Sequence, residues 1–227
     1  MTTEIIISLI TLIVLEIVLG IDNIIFISIL SDKLPAEKRK KARLLGLSLA
    51  LLTRLILLAG ISWIMKLDKT LFVLSGMDFS GKDLILIVGG LFLLYKSNKE
   101  IFEKTEDEHD DKPFVYKSFT KIIGQIILLD LVFSIDSIIT AVGLVDELWV
   151  MYTAVIVSIS IMMMVAGAIS DFISKHPSLK ILALCFLMMI GITLIAEGLA
   201  FHIPKQYIYF SMAFSFLVNI IQIRKKV

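Results

Sequence analysis

The chain has 227 residues, 58% of them apolar, and a mean hydropathy of +0.93, well above the roughly 45–50% apolar content of a soluble domain. A water-soluble single domain is excluded. The net charge of +1 conceals an uneven distribution. The 22 basic and 21 acidic residues crowd into short segments and leave runs of about twenty residues almost uncharged, the pattern of a multi-span membrane protein. A single cysteine, Cys185, forbids an internal disulfide, and one Cys with three His gives no zinc-type cluster.

Seven apolar segments follow in chain order: Ile5–Leu30, Leu44–Met65, Leu84–Tyr95, Ile122–Val145, Leu148–Ile173, Leu179–Phe201 and Tyr207–Ile223. Six have the length of about 20 residues that a helix needs to cross a bilayer. The third holds only twelve strongly apolar residues between Asp83 and Lys96. As a span it must borrow flanking residues or bury its ends in protein. The first segment carries Glu4 where a signal peptide has its basic region and lacks an A-x-A site, so it reads as a retained span.

With seven spans, one side of the membrane receives 6 Lys and Arg in Ser31–Arg43, 6 in Lys96–Lys121, 2 in Ser174–Lys180 and 3 in Arg224–Val227. The other side receives only Lys66, Lys69, Lys82 and Lys205. The positive-inside rule then predicts an N-terminus outside and a C-terminus in the cytoplasm. Within the cytoplasmic loop 99–121 the acidic run Glu103–Asp111, which includes His109, reads as a solvated face rather than a cation collector.

Ionisable residues interrupt the apolar segments. Glu16 and Asp22 lie in the first, Arg54 in the second, Asp130 and Asp136 in the fourth, and Glu197 near the outer end of the sixth. A charge at mid-membrane costs at least about 2.5 kcal/mol on insertion scales, so such residues face a bundle interior and mark ion paths. Glu16-Ile-Val-Leu-Gly-Ile-Asp22-Asn23-Ile-Ile25 aligns with Asp130-Leu-Val-Phe-Ser-Ile-Asp136-Ser137-Ile-Ile139 at a constant offset of 114, with five of ten positions identical. Three spans separate the copies, so their helices cross in opposite directions. The expected fold is therefore all-α and polytopic: one membrane domain in which residues 5–95 and 122–201 form a 3+3 inverted repeat and 207–223 adds a seventh helix. Secondary transporters are widely built this way, with their sites near the midplane.

On an ideal helix, positions seven apart nearly coincide and positions six apart differ by about 120°. Glu16 then shares a face with Asn23, and Asp130 with Ser137, while Asp22 and Asp136 point elsewhere. Gly20 and Ser134 lie between the acids at matching positions. Local unwinding there would let all four carboxylates converge with freed carbonyls.

Carboxylates with Asn23, Ser137 and backbone carbonyls suit a hard divalent cation such as Mg²⁺, Ca²⁺ or Mn²⁺. Exchange of protons for metal is a natural coupling in such a crowded acidic site. Arg54 either neutralises one acid or acts as a tethered cation. The plainer reading treats the acids as interhelical glue. Met162–Met164, Met188 and Met189 read as core or lipid-facing residues, and Asp171, Gln125, Ser158, Ser160, Asn219 and Gln222 form no constellation. An intramembrane aspartyl protease would need a GxGD motif, which is absent, so no enzyme is expected.

The stretches EIVLGIDNIIF, LLDLVFSIDSIITAVGL, LALLTRLILL, DLILIVGGLFLLYKSNKEI and HPSLKILAL resemble the TerC family of integral membrane proteins, above all its short YgdQ-like bacterial members. The resemblance implies a multi-pass protein of the bacterial inner membrane. Manganese-exporting members imply Mn²⁺ efflux through the acids matching Glu16, Asp22, Asp130 and Asp136, with no permanently bound cofactor. Other relatives are linked to tellurite resistance and to metallating exported proteins. The expected partners are the lipid bilayer and a divalent cation, with homo-oligomers open and no nucleic acid. The alternative is a non-transport scaffold or accessory protein for metal homeostasis.

Overall fold

In hydrocarbon every backbone N–H and C=O must be satisfied internally, and long apolar runs do this as helices. The computed structural model describes residues 2–74, 77–106, 118–145, 147–201 and 203–225. The elements in chain order are α1 (Thr2–Ser31), α2 (Ala36–Ala59), α3 (Ile61–Leu67), β1 (Thr70–Leu74), β2 (Met77–Ser80), α4 (Gly81–Glu106), α5 (Phe119–Val142), α6 (Leu148–Lys175), α7 (Pro177–Gly198) and α8 (Lys205–Lys225). Among the described residues six helices, α1, α2, α5, α6, α7 and α8, are long and apolar enough to cross a membrane. The chain is a predominantly helical polytopic membrane protein.

The third apolar segment is longer as a helix than as an apolar run. α4 has 26 residues, about 39 Å at the helical rise, but falls outside the six because charges crowd its C-terminal third. Its start is fixed by reciprocal capping. The Ser80 N–H and Oγ–H donate to Asp83 Oδ2 at 2.8 and 2.6 Å, and the Asp83 N–H donates to Ser80 Oγ at 3.2 Å. Towards its other end Lys96 and Glu100, one turn apart, form a buried ion pair at 3.1 Å.

The mostly helical chain fits the all-α expectation, with one small addition: β1 and β2 pair antiparallel, Phe72 opposite Phe79 with their rings stacked at 5.3 Å. The physical reason is local composition, since Thr70–Leu74 (TLFVL) is rich in the β-branched and aromatic residues that suit a strand. One expectation is corrected: the unwinding at Gly20 and Ser134 is absent, since α1 and α5 run unbroken through both. Gly20 instead admits a neighbour: a Cβ there would collide with Met162 Sδ. Ser134 spends its hydroxyl on Asp130 Oδ2, one turn back at 3.3 Å, a bond that leaves the helix intact. The second segment, by contrast, is divided, α2 ending at Gly60 before the short α3.

The chain forms two compact units, Met1–Lys69 with Tyr116–Phe172 and Thr70–Val115 with Ile173–Val227. In the first, Gly46 of α2 lies against Ile126 of α5 and Ile27 of α1, and Arg43 Nη1 donates to Ser170 Oγ at 2.7 Å. In the second, α4 packs along α7. A Cβ on Gly90 would meet the Gly191 carbonyl oxygen at 2.5 Å, one on Gly191 the Gly90 oxygen at 2.9 Å, and one on Gly198 the Asp83 oxygen at 2.7 Å. The pairings 83 with 198 and 90 with 191 make these helices antiparallel. α8 joins this unit through α7, where Ser178 Oγ donates to Asn219 Oδ1 at 3.1 Å.

Candidate functional site

The first unit buries a charged triad contributed by three helices. Arg54 of α2, Glu16 of α1 and Asp130 of α5 are 2%, 2% and 4% exposed. Arg54 Nη1 donates to Glu16 Oε2, and Nη2 lies 3.4 Å from Asp130 Oδ1. Ser134 holds the other oxygen of Asp130, and Ser137 Oγ donates to the Ser134 carbonyl at 3.3 Å. Arg54 Nε is buried with no hydrogen-bond partner among the described residues.

The helices that meet here have a definite sense. Contacts at 27 with 46 and 16 with 54 make α1 and α2 antiparallel, whereas 46 with 126 and 54 with 130 make α2 and α5 parallel. α1 and α5, which carry the two copies of the acidic motif, therefore run in opposite directions. The first acid of each copy reaches the same guanidinium.

Unbroken helices also dictate which motif residues turn inward. Asn23 and Ser137, two turns on from Glu16 and Asp130, are buried with them, while Asp136 is only half-buried. Asp136 has partners of its own, and its backbone carbonyl accepts from Thr140 Oγ1 at 2.9 Å. The side chain of Asp22 and residues 107–117, with most of the acidic run Glu103–Asp111, lie outside the described residues. Among the described residues no three His, Cys, Asp or Glu come together as a metal-ligand group. What the structure assembles is a carboxylate pair bridged by a guanidinium.

Glu197 is half-buried and has a partner of its own, Asp171 is exposed, and Met162 is buried on Gly20 while Met164 is 83% exposed. The sequence reading missed the buried Lys96–Glu100 pair and the fully buried Ser97 between them, whose hydroxyl has no hydrogen-bond partner among the described residues. Opposite charges at i and i+4 were a visible signal, masked because Lys96 was assigned to a loop.

A helical polytopic fold with an ion triad buried inside its helices defines an integral membrane protein organised around intramembrane charge. The chain belongs to the TerC family: the family described as "Integral membrane protein TerC family" matches residues 1–227. It is 52% identical over 222 residues to a UPF0053 protein of Haemophilus influenzae, covering 97% of this chain and 94% of that one. It is 51% identical over 209 residues to the inner membrane protein YgdQ of Escherichia coli K12, covering 92% and 88%. A third relative, the E. coli K12 inner membrane protein YoaE, is 49% identical over 215 residues, which are 94% of this chain and 42% of YoaE. No solved structure matches. The chain is a multi-pass protein of the inner membrane.

Proposed function

We propose that this protein is a secondary transporter that exports a hard divalent cation across the inner membrane, manganese being the ion to which the family resemblance points. One observation carries the reading: the first acids of two sequence-related motifs, on antiparallel helices of different parts of the chain, are buried on a single guanidinium. Buried charge of this kind is too expensive to persist as packing alone. An inverted pair of motifs meeting at one point is how transporter folds build a site that two halves share.

In this reading the spans number seven, with α4 as the third, the N-terminus outside and the C-terminus in the cytoplasm. Spans 1–3 and 4–6 form the inverted repeat. The reciprocal approach of Gly90 and Gly191 supports the pairing of spans 3 and 6. Glu16, Asp22, Asn23, Asp130, Asp136 and Ser137 supply oxygen ligands, the donor set that hard cations prefer, and Arg54 compensates charge. Protons are the proposed counter-ion. The protein holds no permanent cofactor and catalyses no bond-making step.

Everted membrane vesicles test the reading. Vesicles carrying the wild-type protein should accumulate Mn²⁺, and the Asp22→Asn, Asp136→Asn double variant should not. Equal accumulation by the double variant would reject the site. Equal accumulation by vesicles without the protein would reject transport and favour a scaffold that acts through its loops.

A further inference from the structure

We infer that Arg54 is the site's built-in competing cation: its guanidinium and the transported divalent ion hold Glu16 and Asp130 in alternation. The inference rests on the reading of this acid pair as cation ligands.

The guanidinium already occupies the ligand oxygens. Nη1 is bonded to Glu16 Oε2 and Nη2 lies at 3.4 Å from Asp130 Oδ1. A divalent ion bound to the same oxygens would stand in contact with a like charge inside the bundle, where such repulsion is weakly screened. The two cations therefore exclude one another. Arginine does not lose its proton in proteins, so Arg54 yields by moving and not by neutralising.

Three features suit Arg54 to leave and return. It is held by its terminal nitrogens alone, Nε having no hydrogen-bond partner among the described residues, so rotation about the end of the side chain releases both acids at once. Asp130 does not lose its position when that happens, because Ser134 Oγ holds its second oxygen at 3.3 Å. Charge also stays close to balanced: the two ionised carboxylates carry −1 with the guanidinium and zero with a divalent ion. A buried acid pair without any counter-charge is thus avoided in both conditions, and that uncompensated state is the one most costly in low dielectric.

The experiment uses the full chain in lipid nanodiscs, with Mn²⁺ as the probe. In wild type, Mn²⁺ should shift a guanidinium band in infrared difference spectra of ¹⁵N-arginine-labelled protein, and R54K should lack that band. Calorimetry should give R54Q a Mn²⁺ affinity about tenfold or more above wild type, the order of effect that one contacting charge exerts on a neighbouring equilibrium, with R54K close to wild type. R54Q should nevertheless lose net Mn²⁺ uptake in vesicles. Wild-type Mn²⁺ binding with no guanidinium band moving overturns this inference and leaves the cation site standing, as does R54Q binding no tighter than wild type. Absence of Mn²⁺ binding in both proteins overturns the site itself.

Discussion

The two compact units bury helices against one another by opposite means. In Met1–Lys69 with Tyr116–Phe172, α1, α2 and α5 meet across Glu16, Arg54 and Asp130. In Thr70–Val115 with Ile173–Val227, α4 and α7 meet backbone to backbone at Gly90, Gly191 and Gly198. Small residues let helices approach closely, which is how packing holds helices in lipid, where no hydrophobic effect drives them together. Buried charges give no such advantage, since well-packed apolar residues are often as stable or more so. The glycine seam is what a scaffold needs, and the ion triad is what a site needs.

The sharpest way to break this contrast is to remove the bridging charge. Arg54→Met should cost roughly 3–5 kcal/mol, because two buried carboxylates lose their partner. The triple variant Glu16→Gln, Arg54→Met, Asp130→Asn should recover most of that stability while abolishing Mn²⁺ uptake. Thermal unfolding in detergent beside vesicle uptake checks both, and a triple variant that still transports would end the assignment of this triad to function.

The seam is tested by adding one methyl group. Gly90→Ala places its Cβ 2.5 Å from a carbonyl oxygen and 2.7 Å from Ile195 Cγ1, so backbone must shift at a cost of about 1–3 kcal/mol. An unchanged unfolding midpoint would show that α4 and α7 are not locked by contact. Ser80→Ala removes the capping hydroxyl of α4 and should cost about 1 kcal/mol, read as a smaller midpoint shift with uptake retained. At the low end, Gly124→Ala in α5 and Gly167→Ala in α6 meet nothing within 4 Å among the described residues and should stabilise by roughly 0.5–1 kcal/mol through helix propensity. Destabilisation at these two positions would mean that their faces are covered by something beyond the described residues.

The helices were legible because the physics that makes them is local. Apolar length is readable from neighbours along the chain, whereas the break at Gly60 inside the segment Leu44–Met65 was not anticipated. Helical periodicity put Glu16 with Asn23 and Asp130 with Ser137 on shared faces, and all four residues are buried. The unwinding expected at Gly20 is not there: the helix runs on, and the residue that answers Gly20 is Met162 on another helix, 142 positions away. No local pattern announces such a neighbour. The hairpin was overlooked for a different reason: its short strands lay in a connection between apolar segments, where attention to span length hid the strand-forming composition of Thr70–Leu74.

By itself the sequence determined the membrane class, the apolar segments, the duplicated acidic motif and the inward faces of α1 and α5, since hydropathy and a period of 3.6 residues act within one segment. Only the tertiary structure decided that Arg54 serves both motifs at once and that Gly90 meets Gly191. It also decided that Lys96 and Glu100 are buried. These are relations between groups far apart in the chain or between a side chain and whatever covers it. They follow from how helices pack, which depends on shape complementarity over whole surfaces and not on any one segment's pattern.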